Sequence, residues 1–108
     1  MKDLRELEKL ALGVCPITDK GVAYLSNLPR LKYLDLWETD VTDAGVAHLK
    51  NVKTLEHLDV TNTKVTDASI DVFLALPNLR TLFIGGTRIT EAGAERLEKM
   101  RPMLEVNR

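Results

Sequence analysis

Apolar residues recur along this chain with a period of 24. Leu7, Leu31, Leu55, Leu79 and Met103 stand at that spacing, as do Leu10, Leu34, Leu58, Leu82 and Val106. Leu12, Leu36, Val60 and Ile84 form a third column, and Ile17, Val41, Val65 and Ile89 a fourth. Three more follow: Val22, Val46, Ile70, Ala94; then Leu25, Leu49, Phe73, Leu97; then Leu28, Val52, Leu76, Met100. Polar positions keep the same phase. Thr18, Thr42, Thr66 and Thr90 are each followed by an acid (Asp19, Asp43, Asp67, Glu91), and Gly21, Gly45, Ser69 and Gly93 come two residues later. So many columns in register mark a repeat architecture, in which each unit covers its neighbour.

Within a unit the pattern changes period. Leu34-Asp35-Leu36 alternates apolar and polar, the signature of a strand with one buried face. Stacked units then pair these strands into a parallel sheet. Downstream, Val46, Leu49 and Val52 are spaced by three, which predicts a short helix. Thr42 is suited to cap that helix, and Asp43 suits the positive end of its dipole. Helices are predicted near residues 19–27, 43–51, 67–76 and 91–100, with Pro29 and Pro77 stopping two of them. Cys15, Thr39, Thr63 and Thr87 form a column expected to face inward, where hydroxyls can satisfy loop backbone groups.

The unit reads L-x-x-L-x-L-x-x-T-x-V-T-D-x-G-V-x-x-L-x-x-L-x-x. It resembles the leucine-rich-repeat family over residues 4 to 108. Its Thr-Asp-x-Gly segment is similar to the cysteine-containing type of F-box proteins and to short bacterial leucine-rich-repeat proteins. The cysteine column holds Cys only at Cys15 and Thr thereafter, and no F-box is visible, so no ubiquitin-ligase role carries over. The resemblance implies an α/β solenoid, with a curved parallel sheet on the concave side and short helices on the convex side. We expect a single domain over 1–108. About four 24-residue repeats start near 7, 31, 55 and 79, and a partial fifth strand lies at 103–108.

Composition narrows the function. With 108 residues, 29% charged, and a formal net charge of −1, nothing draws the whole molecule to nucleic acid or an anionic membrane. No apolar run approaches the roughly 20 residues that span a bilayer. A single cysteine, Cys15, forbids an internal disulfide and a thiolate cluster, and the expected setting is the cytoplasm. Cys15 has no His or Lys in its own loop to activate it. No cofactor is expected.

The positions between the strand leucines point outward from the sheet. One such column is Lys9, Tyr33, His57, Thr81, Glu105; the next is Ala11, Asp35, Asp59, Phe83, Asn107. Then come Gly13, Trp37, Thr61, Gly85; Val14, Glu38, Asn62, Gly86; and Pro16, Asp40, Lys64, Arg88. Three of the five aromatic residues fall here, and aromatic side chains are typical interface anchors. The expected function is a protein-interaction module or adaptor. Its partner surface comprises Tyr33, Asp35, Trp37, Glu38, His57, Asp59, Asn62, Phe83 and Arg88. The partner is expected to be a protein presenting basic or polar groups.

Two other readings compete. The repeats can serve a larger protein, packing on a neighbouring domain or self-associating through open solenoid ends. Alternatively Asp35, His57 and Asp59 on adjacent strands form an acid–base or metal site. The residue types suit that chemistry, but they lack a dedicated spacing, and a shallow sheet offers no water-excluding pocket. His48 is expected on the outer helix side, and Gly85-Gly86 at a strand-exit bend rather than in a phosphate loop.

Overall fold

The computed structural model describes residues 4–108. Five short strands, β1 (Lys9–Ala11), β2 (Tyr33–Asp35), β3 (His57–Asp59), β4 (Thr81–Phe83) and β5 (Glu105–Asn107), form one parallel sheet in sequence order. Leu10 pairs with Leu34, Leu34 with Leu58, Leu58 with Leu82, and Leu82 with Val106. The sheet register is therefore the 24-residue repeat itself. Backbone bonds extend the ladder beyond the three-residue strands: Leu36 N donates to Asp59 O, and Glu38 N to Thr61 O.

Helices α1 (Asp19–Leu25), α2 (Asp43–His48), α3 (Ile70–Leu74) and α4 (Glu91–Met100) occupy the opposite side. They depart from the predicted spans. α2 tightens into a 3-10 turn at Leu49–Asn51, and α3 begins as one at Asp67–Ser69. α1 and α3 end at Leu25 and Leu74, ahead of Pro29 and Pro77, so the prolines do not themselves stop them. Thr42, Thr66 and Thr90 cap their helices through the side chain, whereas Thr18 does not.

The core fills the space between sheet and helices. Leu31, Leu34, Leu36, Leu55, Leu58, Phe73, Leu82 and Leu97 are among its fully buried members. Several column positions, Leu10 and Leu12 among them, are only partly buried, and two are exposed outright. Met103 is 94% exposed, and Leu104 is buried instead, although β5 keeps the register of the other strands. Met100 is also exposed, because α4 continues through it as a regular helix; its turn of the chain presents Arg101 to the preceding unit.

The inner threonines behave as expected. Thr39, Thr63 and Thr87 donate to Leu36 O, Val60 O and Ile84 O at 2.6–2.7 Å, pinning the turn that leaves each strand. Cys15 departs from its column: it is exposed rather than inward-facing. Among the described residues its unit has a neighbour on one side only.

That turn has a left-handed residue in every unit: Val14 (φ 66°), Glu38 (53°), Asn62 (57°) and Gly86 (70°). Gly and Asn tolerate this conformation, but a β-branched residue is strained in it. Val14 is mostly solvent-exposed, so it has little packing to lose. Val14→Asn, which copies the third unit, is expected to raise stability by roughly 1 kcal/mol and Tm by about 5 °C. An unchanged melting curve would show that the turn carries no strain.

Candidate functional site

The sheet face gathers most of the residues singled out by the sequence. Tyr33 and His57 are register partners on β2 and β3, and their rings stack with centroids 4.0 Å apart at 5°. Phe83 on β4 continues the row, its ring centroid 5.4 Å from that of His57 and tilted by 52°. Lys9 on β1 places its Nζ 4.6 Å above the Tyr33 ring, a cation–π contact that closes the row at that end. Four adjacent strands thus contribute to one continuous row across the sheet.

Carboxylates line it. His57 Nε2 lies 3.2 Å from Asp35 Oδ1, with both side chains about five-sixths buried. Burial, followed by the charge and hydrogen bond of Asp35 and the charge of Asp59, pushes the Tyr33 phenol above its ordinary value. Asp59 Oδ1 accepts from Thr61 N at 2.9 Å and turns toward its own strand end rather than toward His57. The proposed trio therefore does not close. Among the described residues, no three His, Cys, Asp or Glu side chains are grouped to hold a metal ion.

Trp37 lies one step further along the strand exit. A Cβ added to Gly13 would land on the Trp37 indole, so the ring rests on the bare backbone of the preceding unit. It remains 38% exposed while Leu34 and Leu58 are fully buried, which fixes the outward register. Glu38 and Asn62 sit at the left-handed turn positions, exposed, with Asn62 Nδ2 making only a long contact of 3.5 Å to Glu38 Oε1. Arg88 is exposed beyond them; its backbone N donates to Val65 O. The structure thus joins Tyr33, Asp35, His57 and Phe83 into one cluster. Asp59 and Trp37 flank it, and Glu38, Asn62 and Arg88 stand apart on the rim. His48 is exposed on α2, as expected.

Sequence reasoning missed a second row. The helix dipole explains Asp43 only within its own unit, whereas the carboxylates of Asp19, Asp43 and Asp67 all reach the next one. Asp19 accepts from Thr42 N (2.7 Å) and Thr42 Oγ1 (2.6 Å). Asp43 accepts from Thr66 N and Oγ1, and Asp67 from Thr90 N and Oγ1, in the same geometry. The glycine column makes room for them: a Cβ on Gly45 or Gly93 would strike Asp19 or Asp67. Where Ser69 replaces glycine, its Oγ donates to Asp43 Oδ1 at 2.6 Å. The available signal was the shared 24-residue phase of Asp, Thr and Gly.

Comparison with known proteins places this geometry in a family. Leucine-rich-repeat family models match residues 29–89 and 4–26. No curated protein matches. Among solved structures, a leucine-rich-repeat protein of Leptospira interrogans is similar, with 19% identity and a TM-score of 0.65, over 95% of this chain and 26% of that one. An internalin from Listeria monocytogenes is similar at 22% identity and a TM-score of 0.58, over 95% of this chain and 35% of that one. The chain spans about a quarter to a third of those proteins. No helix among the described residues is long and apolar enough to cross a membrane. The first family match alone covers more than half of the chain, its periodicity is the sheet register itself, and the chain belongs to the leucine-rich-repeat family.

Proposed function

We propose that this chain is a protein-interaction module, an adaptor working in the cytoplasm, and that its partner docks on the sheet face of units two to four. The observation that supports this reading is the row of Tyr33, His57 and Phe83, partly buried on the sheet face, with Asp35 and Asp59 beside it. Aromatic anchors beside partly desolvated charges make interface hot spots. The partner presents basic or polar groups to Asp35, Asp59 and Glu38 and sets an apolar side chain against Trp37 or Phe83. Asn62 and Arg88 form the polar rim. In this reading the chain catalyses nothing.

The test is affinity capture from the native host with wild-type bait, followed by titration of the captured partner against Trp37→Ala and Asp59→Ala. Each variant is expected to weaken binding by about tenfold, with the fold intact. Undiminished affinity in both well-folded variants would remove this face from consideration.

A further inference from the structure

A separate site lies at the N-terminal ends of the strands, on the edge of the sheet away from Trp37. There a cleft of about 350 Å³ is lined by Pro77, Leu79, Arg80, Arg101, Met103 and Leu104, with Glu56 at its side. That volume is at the lower end of small-molecule sites.

Two guanidinium groups line this cleft, and among the described residues neither is in an ion pair. Arg101 Nη1 donates to Leu74 O and Leu76 O, and Nη2 to Leu79 O, at 3.0–3.3 Å. These bonds satisfy one carbonyl at the end of α3 and two in the loop that follows, and hold the half-buried guanidinium in place. They use three of its five N–H donors, leaving two for a ligand. Carbonyls offset its charge only in part, and among the described residues no acid pairs with it. Arg80 is exposed and, among the described residues, is also in no ion pair, although its backbone N donates to Glu56 O. Lys53 sits close by, its carbonyl accepting from Asn78 and its Nζ on Ala75 O. The cleft lining itself thus holds two cations and one acid.

Apart from Asn78, whose amide bonds Lys53 O, the remaining lining is apolar. Met103 is 94% exposed at the rim beside Leu79 and Pro77. A thioether left so open, next to a pre-positioned guanidinium, provides a surface for an apolar body joined to an anion. We propose that this cleft binds an oxyanion, a carboxylate or phosphate, carried on a small apolar group. The anion bridges Arg80 and the free donors of Arg101, and the apolar part covers Met103 and Pro77. Guanidinium suits this task because its planar fork matches both oxyanions. The site is independent of the aromatic sheet face.

The experiment titrates isotope-labelled protein by NMR with phenyl phosphate, phenylacetate, inorganic phosphate and benzyl alcohol. The expected result is saturable shifts at the amides of residues 78–81 and 101–104 for the two aromatic anions. Whichever binds tighter identifies the oxyanion. Inorganic phosphate, lacking the apolar body, and benzyl alcohol, lacking charge, bind more weakly. Arg80→Gln, an exposed change, weakens binding about tenfold. Glu56→Gln removes the lone repelling charge and tightens it severalfold. Failure to saturate below about 10 mM, equal binding of benzyl alcohol, or an unchanged affinity in Arg80→Gln would each overturn the proposal.

Discussion

Asp43→Ala is expected to lower the free energy of unfolding by about 3 kcal/mol, a large loss for a chain of this size. The carboxylate accepts three hydrogen bonds across the junction of units two and three, from Thr66 N, Thr66 Oγ1 and Ser69 Oγ. Bonds to a charged acceptor contribute roughly 1.5–3 kcal/mol each, and a donor left dry costs more than one returned to water. Ser69 is 1% exposed, so its hydroxyl has no water to turn to. Asp67 makes two equivalent bonds at an exposed position, and Asp67→Ala is expected to cost only about 1 kcal/mol. Urea unfolding of the two variants measures the difference. Equal losses would mean that burial does not set the strength of the row.

The same carboxylate gives stability a pH dependence. Burial pushes the Asp43 acid up, but the bonds from Ser69 and Thr66 outweigh it, and the group ends below the ordinary 3.8. The folded state therefore holds its proton less tightly than the unfolded chain does. Its contribution is complete above the unfolded value and fades as pH falls through the lowered folded value. Asp43→Asn should show a shallower acid limb than wild type between about pH 5 and pH 2. Parallel acid limbs would place the titration elsewhere.

How much of this was legible beforehand depends on which contacts are local. The strand register was readable because Leu10, Leu34, Leu58 and Leu82 differ by a constant spacing and all face the core. The outward placement of Tyr33, Trp37 and His57 followed from period-two alternation, and the Tyr33–His57 stack from their shared column. The Asp–Thr bonds run between residues 23 apart, while a local reading assigned both to one helix start. Pattern alone does not say whether a carboxylate turns back on its own helix or forward to the next. Trp37 over Gly13 was equally hidden, since it needs the ring's direction as well as its column. Met103 keeps the phase of the core leucines, but phase alone does not bury a residue. The chain past α4 buries Leu104 and leaves Met103 outside.

Gly45→Ala should destabilise the chain by about 2 kcal/mol, even though alanine is the better helix former by roughly 1 kcal/mol. Gly45 is buried in α2, and an added Cβ would strike Asp19 Oδ1 while also crowding Val41 Cγ1. Asp19 would have to give way, and its bonds to Thr42 would stretch or break. The third unit contains a different solution at the equivalent position: Ser69 carries a Cβ, and its hydroxyl bonds the carboxylate that the Cβ would otherwise crowd. Gly45→Ser should therefore cost about 1 kcal/mol less than Gly45→Ala, despite being the larger side chain and the weaker helix former. If serine proves the worse of the two, size alone governs the position. The carboxylate row would then be a consequence of close stacking rather than one of the forces that hold the units together.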